Sequence, residues 1–176
     1  MFAGTTLHAI AAAVLVSLLA LACASDLRTR KIPNKLVLVI GVLGIVYSLL
    51  SNSLSAGLVQ AFGGIATGLA LWFPFYALRM LGAGDVKLFA AASGWLGAKV
   101  AVEAALWTAL IGGTIAIGVM MVNAGFVLTL LRLMHAIRDP GSLRDEPVST
   151  RRHMPYAFAI AGGLLVAASA PGLLLP

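Results

Sequence analysis

Carboxylates are scarce in this chain, six in 176 residues, and two of them stand in settings that suggest chemistry. Asp85 closes the run Gly82-Ala83-Gly84-Asp85. Two glycines at that spacing let the backbone turn tightly and present the next side chain at a fixed angle. Asp26 opens the run Asp26-Leu27-Arg28-Thr29-Arg30-Lys31-Ile32-Pro33-Asn34. Each has a bland reading: Asp85 can cap a helix N-terminus, and Asp26 can pair with the basic residues that follow it. An ionisable residue at the edge of a bilayer is nonetheless a functional candidate by default. A carboxylate at a helix C-terminus also meets the negative end of the macrodipole, so helix formation does not account for Asp26. Brought within hydrogen-bonding distance, two carboxylates hold one proton between them. One can then activate water while its protonated partner polarises a peptide carbonyl. Whether they meet depends on the elements that carry them.

Those elements belong in a membrane. Hydrophobic residues make up 61% of the chain, charged residues only 10%, and mean hydropathy is +1.02. A soluble domain carries about 25% charged residues. The net charge of +6 would suggest nucleic acid in a soluble protein. Here the basic residues lie in short loops between apolar runs, where they set orientation, and no nucleic-acid partner is expected. A single cysteine, Cys23, allows neither an internal disulfide nor a CxxC zinc site. His8, His135 and His153 lack metal-ligand spacing, so no metal or cofactor is expected.

The chain reads as an all-α polytopic membrane protein with six transmembrane helices in one domain, residues 1–176. The first span covers Leu7 to Ala24 and ends at Asp26. Its charge pattern disfavours a cleaved signal peptide, because the basic residues follow the run and none precedes it. Ile32-Pro33-Asn34 is an entry turn in which Asn34 can cap the second helix, which is apolar from Leu36 to about Leu50. A third span runs from about Gly57 to Leu78, with Pro74 near its end and Gly63, Gly64 and Gly68 permitting close helix contacts. The fourth, from Asp85 to Gly97, is short. The fifth covers roughly Val102 to Leu130, and the last about Pro155 to Leu174. Cytoplasmic loops then fall at about 26–35, 79–87 and 132–154, with both termini outside. Every Lys and Arg except Lys99 lies inside. Merging the fourth and fifth spans would instead put the arginines of the third loop outside. In the six-span arrangement Asp26 and Asp85 share the cytoplasmic boundary.

These motifs support a resemblance. The Asp26–Asn34 run and Gly82-Ala83-Gly84-Asp85-Val86-Lys87-Leu88 resemble the two active-site signatures of the type IV prepilin peptidase and preflagellin peptidase family. Met154-Pro155-Tyr156-Ala157 and the residues to Gly163 resemble that family's final-helix motif. The G-x-G-D element alone is shared with presenilin-like proteases; joined to D-x-R-x-R-x-I-P-N it is specific. The resemblance implies a GxGD-type intramembrane aspartyl protease architecture, with Asp26 and Asp85 catalytic. It implies a pilin or pseudopilin precursor as substrate, cut after a glycine between a short leader and a hydrophobic helix at the cytoplasmic face of a bacterial inner membrane. The chain lacks the paired-CxxC insert of the bifunctional branch. It is similar to the short branch that serves Flp-type (tight-adherence) pili, without methylase activity.

Gly82, Gly84, Lys87, Arg28, Pro33, Asn34, Pro155 and Tyr156 are candidate site-shaping residues, although Lys87 and Arg28 serve equally well as membrane-surface anchors. Trp72, Trp95 and Trp107 read first as packing or interfacial residues. Two other classes compete. A small transporter or channel would show repeats or broken helices at the midplane. A non-enzymatic pilus-assembly subunit would leave Asp26 unexplained.

Overall fold

In lipid every backbone N–H and C=O must find a partner within the protein, so apolar runs of this length become helices. The computed structural model describes residues 2–78, 81–122, 156–170 and 172–173, and among them every regular element is an α-helix. They are α1 (Phe2–Thr29), α2 (Asn34–Ser51), α3 (Leu54–Ala77), α4 (Ala83–Leu96), α5 (Ala98–Val122) and α6 (Tyr156–Ser169). By length and composition α1, α2, α3 and α5 are able to cross a membrane. The chain is an all-helical, multi-pass membrane protein. The two remaining helices have 14 residues each. At 1.5 Å per residue that is about 21 Å, short of a hydrocarbon core of about 30 Å.

The short α4 is the centre of the bundle. It packs against α2, α3, α5 and α6, while α1 packs against α2 and α6. Its residues Val86 and Leu88 to Trp95 are all buried. A helix apolar on every side is an interior helix, and the run Ala90-Ala91-Ala92-Ser93-Gly94 keeps it slim enough to be surrounded. Small residues on α3 do the same from the other side. A Cβ on Gly68 would lie 2.9 Å from Cα of Ala90, and one on Gly64 would collide with the Ser93 carbonyl. These helices meet backbone to backbone. On the outside, Leu38, Val42, Leu50, Val59, Phe62 and Phe73 are exposed, as expected of side chains facing lipid tails.

Ending α4 inside the bundle leaves its last carbonyls without partners in their own helix. The neighbouring helices supply them. Gly97, at φ 83°, folds back so that its N–H reaches the Ser93 carbonyl at 3.0 Å. The Ser48 hydroxyl of α2 donates to the Gly94 carbonyl at 3.0 Å. The Gln60 amide of α3 donates to the Trp95 carbonyl at 3.1 Å, while its own oxygen accepts from Asn52 at 2.9 Å. The Trp95 indole donates to the Ile40 carbonyl at 2.9 Å and stacks on Tyr47. Trp95 is thus a packing residue, as its sequence context suggests. These side-chain bonds set the depth of α4, and with it the position of Asp85 at the opposite end.

Several boundaries depart from the sequence-based expectation. The first helix does not stop at Asp26 but runs to Thr29, because the Thr29 hydroxyl donates back to the Ser25 carbonyl at 2.9 Å and the helix closes at Arg30, φ 53°. Asn34 does not cap α2; Pro33 occupies the cap position, and its carbonyl accepts from Leu36 and Val37. The fourth helix starts at Ala83, two residues before Asp85, and the fifth at Ala98 instead of Val102.

Candidate active site

Asp26 lies in the last turn of α1. The chain reverses immediately after it, and two hydroxyls fix the reversal. Ser25 donates to the Lys31 carbonyl at 2.9 Å, and Thr29 reaches the same oxygen at 3.1 Å. Arg30 takes the left-handed conformation that such a closure needs, and its N–H bonds the Asp26 carbonyl at 2.9 Å. This compact turn brings Ile32 back beside the helix end. Asp26 is itself half-buried, and its Oδ2 is enclosed without a hydrogen-bond donor.

Asp85 lies in the first turn of α4. The Gly82 carbonyl accepts from the N–H groups of Asp85 (3.2 Å) and Val86 (3.3 Å), closing that turn around the carboxylate. A Cβ on Gly82 would sit 3.0 Å from Asp85 Oδ2, so a side chain there would crowd the acid. A Cβ on Gly84 would sit 3.4 Å from Cβ of Ile32. Gly84 therefore takes the Ile32 side chain against the α4 backbone. This contact brings the two motifs together: the turn carrying Asp26 abuts the turn carrying Asp85.

A third element closes the site. Tyr156, the first residue of α6, lies within electrostatic reach of Asp85. Its ring makes an edge contact with Trp72, centroids 5.9 Å apart. Trp72 in turn packs on Phe75 and Phe89, both at 5.5 Å. Of the other sequence candidates, Arg28, Lys87, Pro33 and Asn34 are exposed at this end of the bundle. Pro155 lies outside the described residues. Tyr156 was among the sequence candidates, but its aromatic neighbours Trp72, Phe75 and Phe89 were not read as part of the site. The one available signal was Phe89, four residues after Asp85 and so on the same helical face. Among the described residues no group of three His, Cys, Asp or Glu side chains could hold a metal ion.

A half-buried carboxylate whose turn abuts the turn of a second acid through the Ile32–Gly84 contact is placed where general acid–base work on a bound amide is chemically available. The model of the type IV leader peptidase family matches residues 13–117, more than half of the chain. The chain belongs to the type IV leader peptidase family. The matched stretch of this leader peptidase contains both aspartates, the turn between α1 and α2, and the glycine turn before α4; α6 with Tyr156 lies beyond it. No curated protein and no solved structure gives a significant match.

Proposed function

We propose that this leader peptidase is an aspartic endopeptidase in which Asp26 and Asp85 form the catalytic pair. Its substrate is a pilin or pseudopilin precursor of the Flp type, and it cuts at the cytoplasmic membrane face. The observation that carries the reading is the contact of Ile32 with Gly84, which sets the two aspartate-bearing turns against each other. One carboxylate takes a proton from water as the oxygen attacks the scissile carbonyl. The other, protonated, donates to that carbonyl oxygen; the C–N bond then breaks as the leaving amine takes up a proton. Gly82 and Gly84 keep the approach to Asp85 open, and Tyr156 walls it from α6. Arg28 and Lys87 act at the aqueous rim, where leader carbonyls and lipid phosphates both lie. Pro33 and Asn34 set the entry to α2. The 176 residues form one peptidase domain with both termini outside the cytoplasmic membrane.

The test is cleavage of a co-expressed precursor. Asp→Asn keeps size and polarity but removes the carboxylate. Asp26→Asn and Asp85→Asn should each abolish cleavage while membrane-inserted protein stays at normal levels. Asp→Glu should also lose on the order of 100-fold, since one methylene shifts a reacting oxygen by about 1 Å. Asp145→Asn, in the third cytoplasmic loop, should cleave normally. Retained activity in Asp26→Asn would return that residue to the role of an ion-pair partner. Mass spectra of the same product should show a free N-terminal amine; a methyl group added by the purified protein would refute the absence of methylase activity.

A further inference from the structure

Tyr156 opens α6, a helix that packs against α1, α4 and α5, so its ring stands among the helices that carry both aspartates. Trp72 meets that ring edge-on from α3, with centroids 5.9 Å apart. The tip of the phenol lies against the bare backbone of Gly112 on α5. A Cβ built on Gly112 would stand 2.9 Å from the hydroxyl and 3.1 Å from Cε2 and Cζ. The glycine thus makes the room that the phenol tip fills, and the indole holds the ring in it. The hydroxyl so placed has no bond to make within the protein. Among the described residues it forms no hydrogen bond, and it feels the Asp85 carboxylate without bonding to it. Nor is it sealed in: Tyr156 is half-buried, and its hydroxyl is not one of the enclosed, partnerless atoms, as the Trp72 indole N–H is. A tyrosine that only filled space would serve as well as phenylalanine, and a tyrosine packed this closely usually spends its hydroxyl on a partner.

We propose that Tyr156 is a third catalytic residue, whose hydroxyl donates a hydrogen bond to the scissile carbonyl oxygen as it becomes the oxyanion of the tetrahedral intermediate. The inference rests on the reading of Asp26 and Asp85 as the catalytic pair. A carbonyl oxygen has two lone pairs, so it can take the protonated aspartate on one side and the phenol on the other. The substrate peptide must then lie between the phenol and the acids. A hydroxyl near Asp85 but not bonded to it has that relation. The O–H bond stays intact throughout: the phenol lends a hydrogen bond and transfers no proton. Being neutral, it does not compete for the proton that the two aspartates share, as a lysine or arginine here would. A donor held in place before the charge develops strengthens most in the transition state, so its contribution falls on kcat.

Tyr156→Phe removes the hydroxyl alone. The substrate is a detergent-solubilised peptide with a short leader, a glycine and an apolar helix. Turnover should fall about 100-fold, the scale of one oxyanion donor, while KM stays within about threefold. The thermal unfolding midpoint should not fall, since the free protein loses no hydrogen bond. Gly112→Ala tests the seat of the phenol without touching its chemistry. The new methyl displaces the hydroxyl, and kcat should drop by at least about tenfold. Gly113→Ala, whose Cβ meets nothing within 4 Å, should turn over normally. A normal kcat in Tyr156→Phe would overturn the proposal. So would a raised KM at unchanged kcat, because the donor would then bind ground state and transition state alike. A lowered midpoint would overturn it as well, by showing the hydroxyl to be paired within the protein, and a fully active Gly112→Ala would refute the fixed seat on which it depends. The aspartate pair is scored separately. Normal turnover in Asp85→Asn would overturn the pair whatever Tyr156→Phe does; an inactive Asp85→Asn beside a fully active Tyr156→Phe would remove only the role of the phenol.

Discussion

Ser48→Ala isolates the device that holds α4 in place. The hydroxyl is fully buried and donates to the Gly94 carbonyl at 3.0 Å across the α2–α4 interface. Gly94 is two residues from the end of α4, so its carbonyl has no partner within the helix, and Gly97 N–H is already taken by Ser93. Removing the hydroxyl leaves a buried acceptor unpaired, which costs about 1–3 kcal/mol in protein interiors. Interhelical bonds measured in a bilayer average only about 0.6 kcal/mol, with a maximum near 1.7. The lower average arises where the freed groups find other partners. Here the carbonyl is shut in, so the expectation lies near the upper end, about 1.5 kcal/mol, or roughly a tenfold shift in the folding equilibrium. The control is Ser17→Ala. Its hydroxyl bonds the Ala13 carbonyl at 2.8 Å on the exposed side of α1, within a helix that already supplies that carbonyl with a backbone N–H. It should change stability by less than about 0.5 kcal/mol. Unfolding of the purified protein in mixed micelles with increasing dodecyl sulfate, followed by tryptophan fluorescence, measures both. Equal midpoints for the two variants would refute the idea that cross-helix donors cap α4.

Close approach between α5 and α6 supplies a second comparison. A Cβ on Gly163 would stand 2.5 Å from Thr108 N and 2.8 Å from the Ala104 carbonyl, both backbone atoms, whereas one on Gly113 would meet nothing within 4 Å. Gly163→Ala should therefore destabilise by about 1–3 kcal/mol in the same assay and Gly113→Ala not at all; similar losses would argue against backbone-to-backbone packing here. Orientation is testable with cysteines at Ser53 and Ser142 in a Cys23→Ala background. Ser53 should label from outside and Ser142 only after the cytoplasmic side is opened; labelling of both from one side would remove the six-span topology.

The sequence by itself determined the class and the helices, and it supplied the motifs on which the proposed chemistry rests. Apolar runs longer than a bilayer is thick leave the backbone no other conformation, and two motifs that spend scarce carboxylates in a membrane chain point to catalysis. Gly82 and Gly84 were legible for the same reason: a turn that presents an acid has little room for side chains. Tertiary structure alone decided three other things. That α4 can be short depends on Ser48 and Gln60, which belong to other helices and fall beside its last carbonyls only after packing. Glu103 reads from its spacing as an i,i+4 partner of Lys99 near the outer end of α5; that it is 2% exposed and accepts the Gly172 N–H at 2.8 Å depends on where α6 ends. Trp72 reads as one more apolar residue in a span. Only the packing of α3, α4 and α6 sets its ring against Phe89 and Tyr156 with the indole N–H buried and unpaired. Local pattern encodes which face of a helix is apolar; it does not encode which polar atom of a neighbouring helix will lie within 3 Å, because that depends on packing among residues distant in the chain.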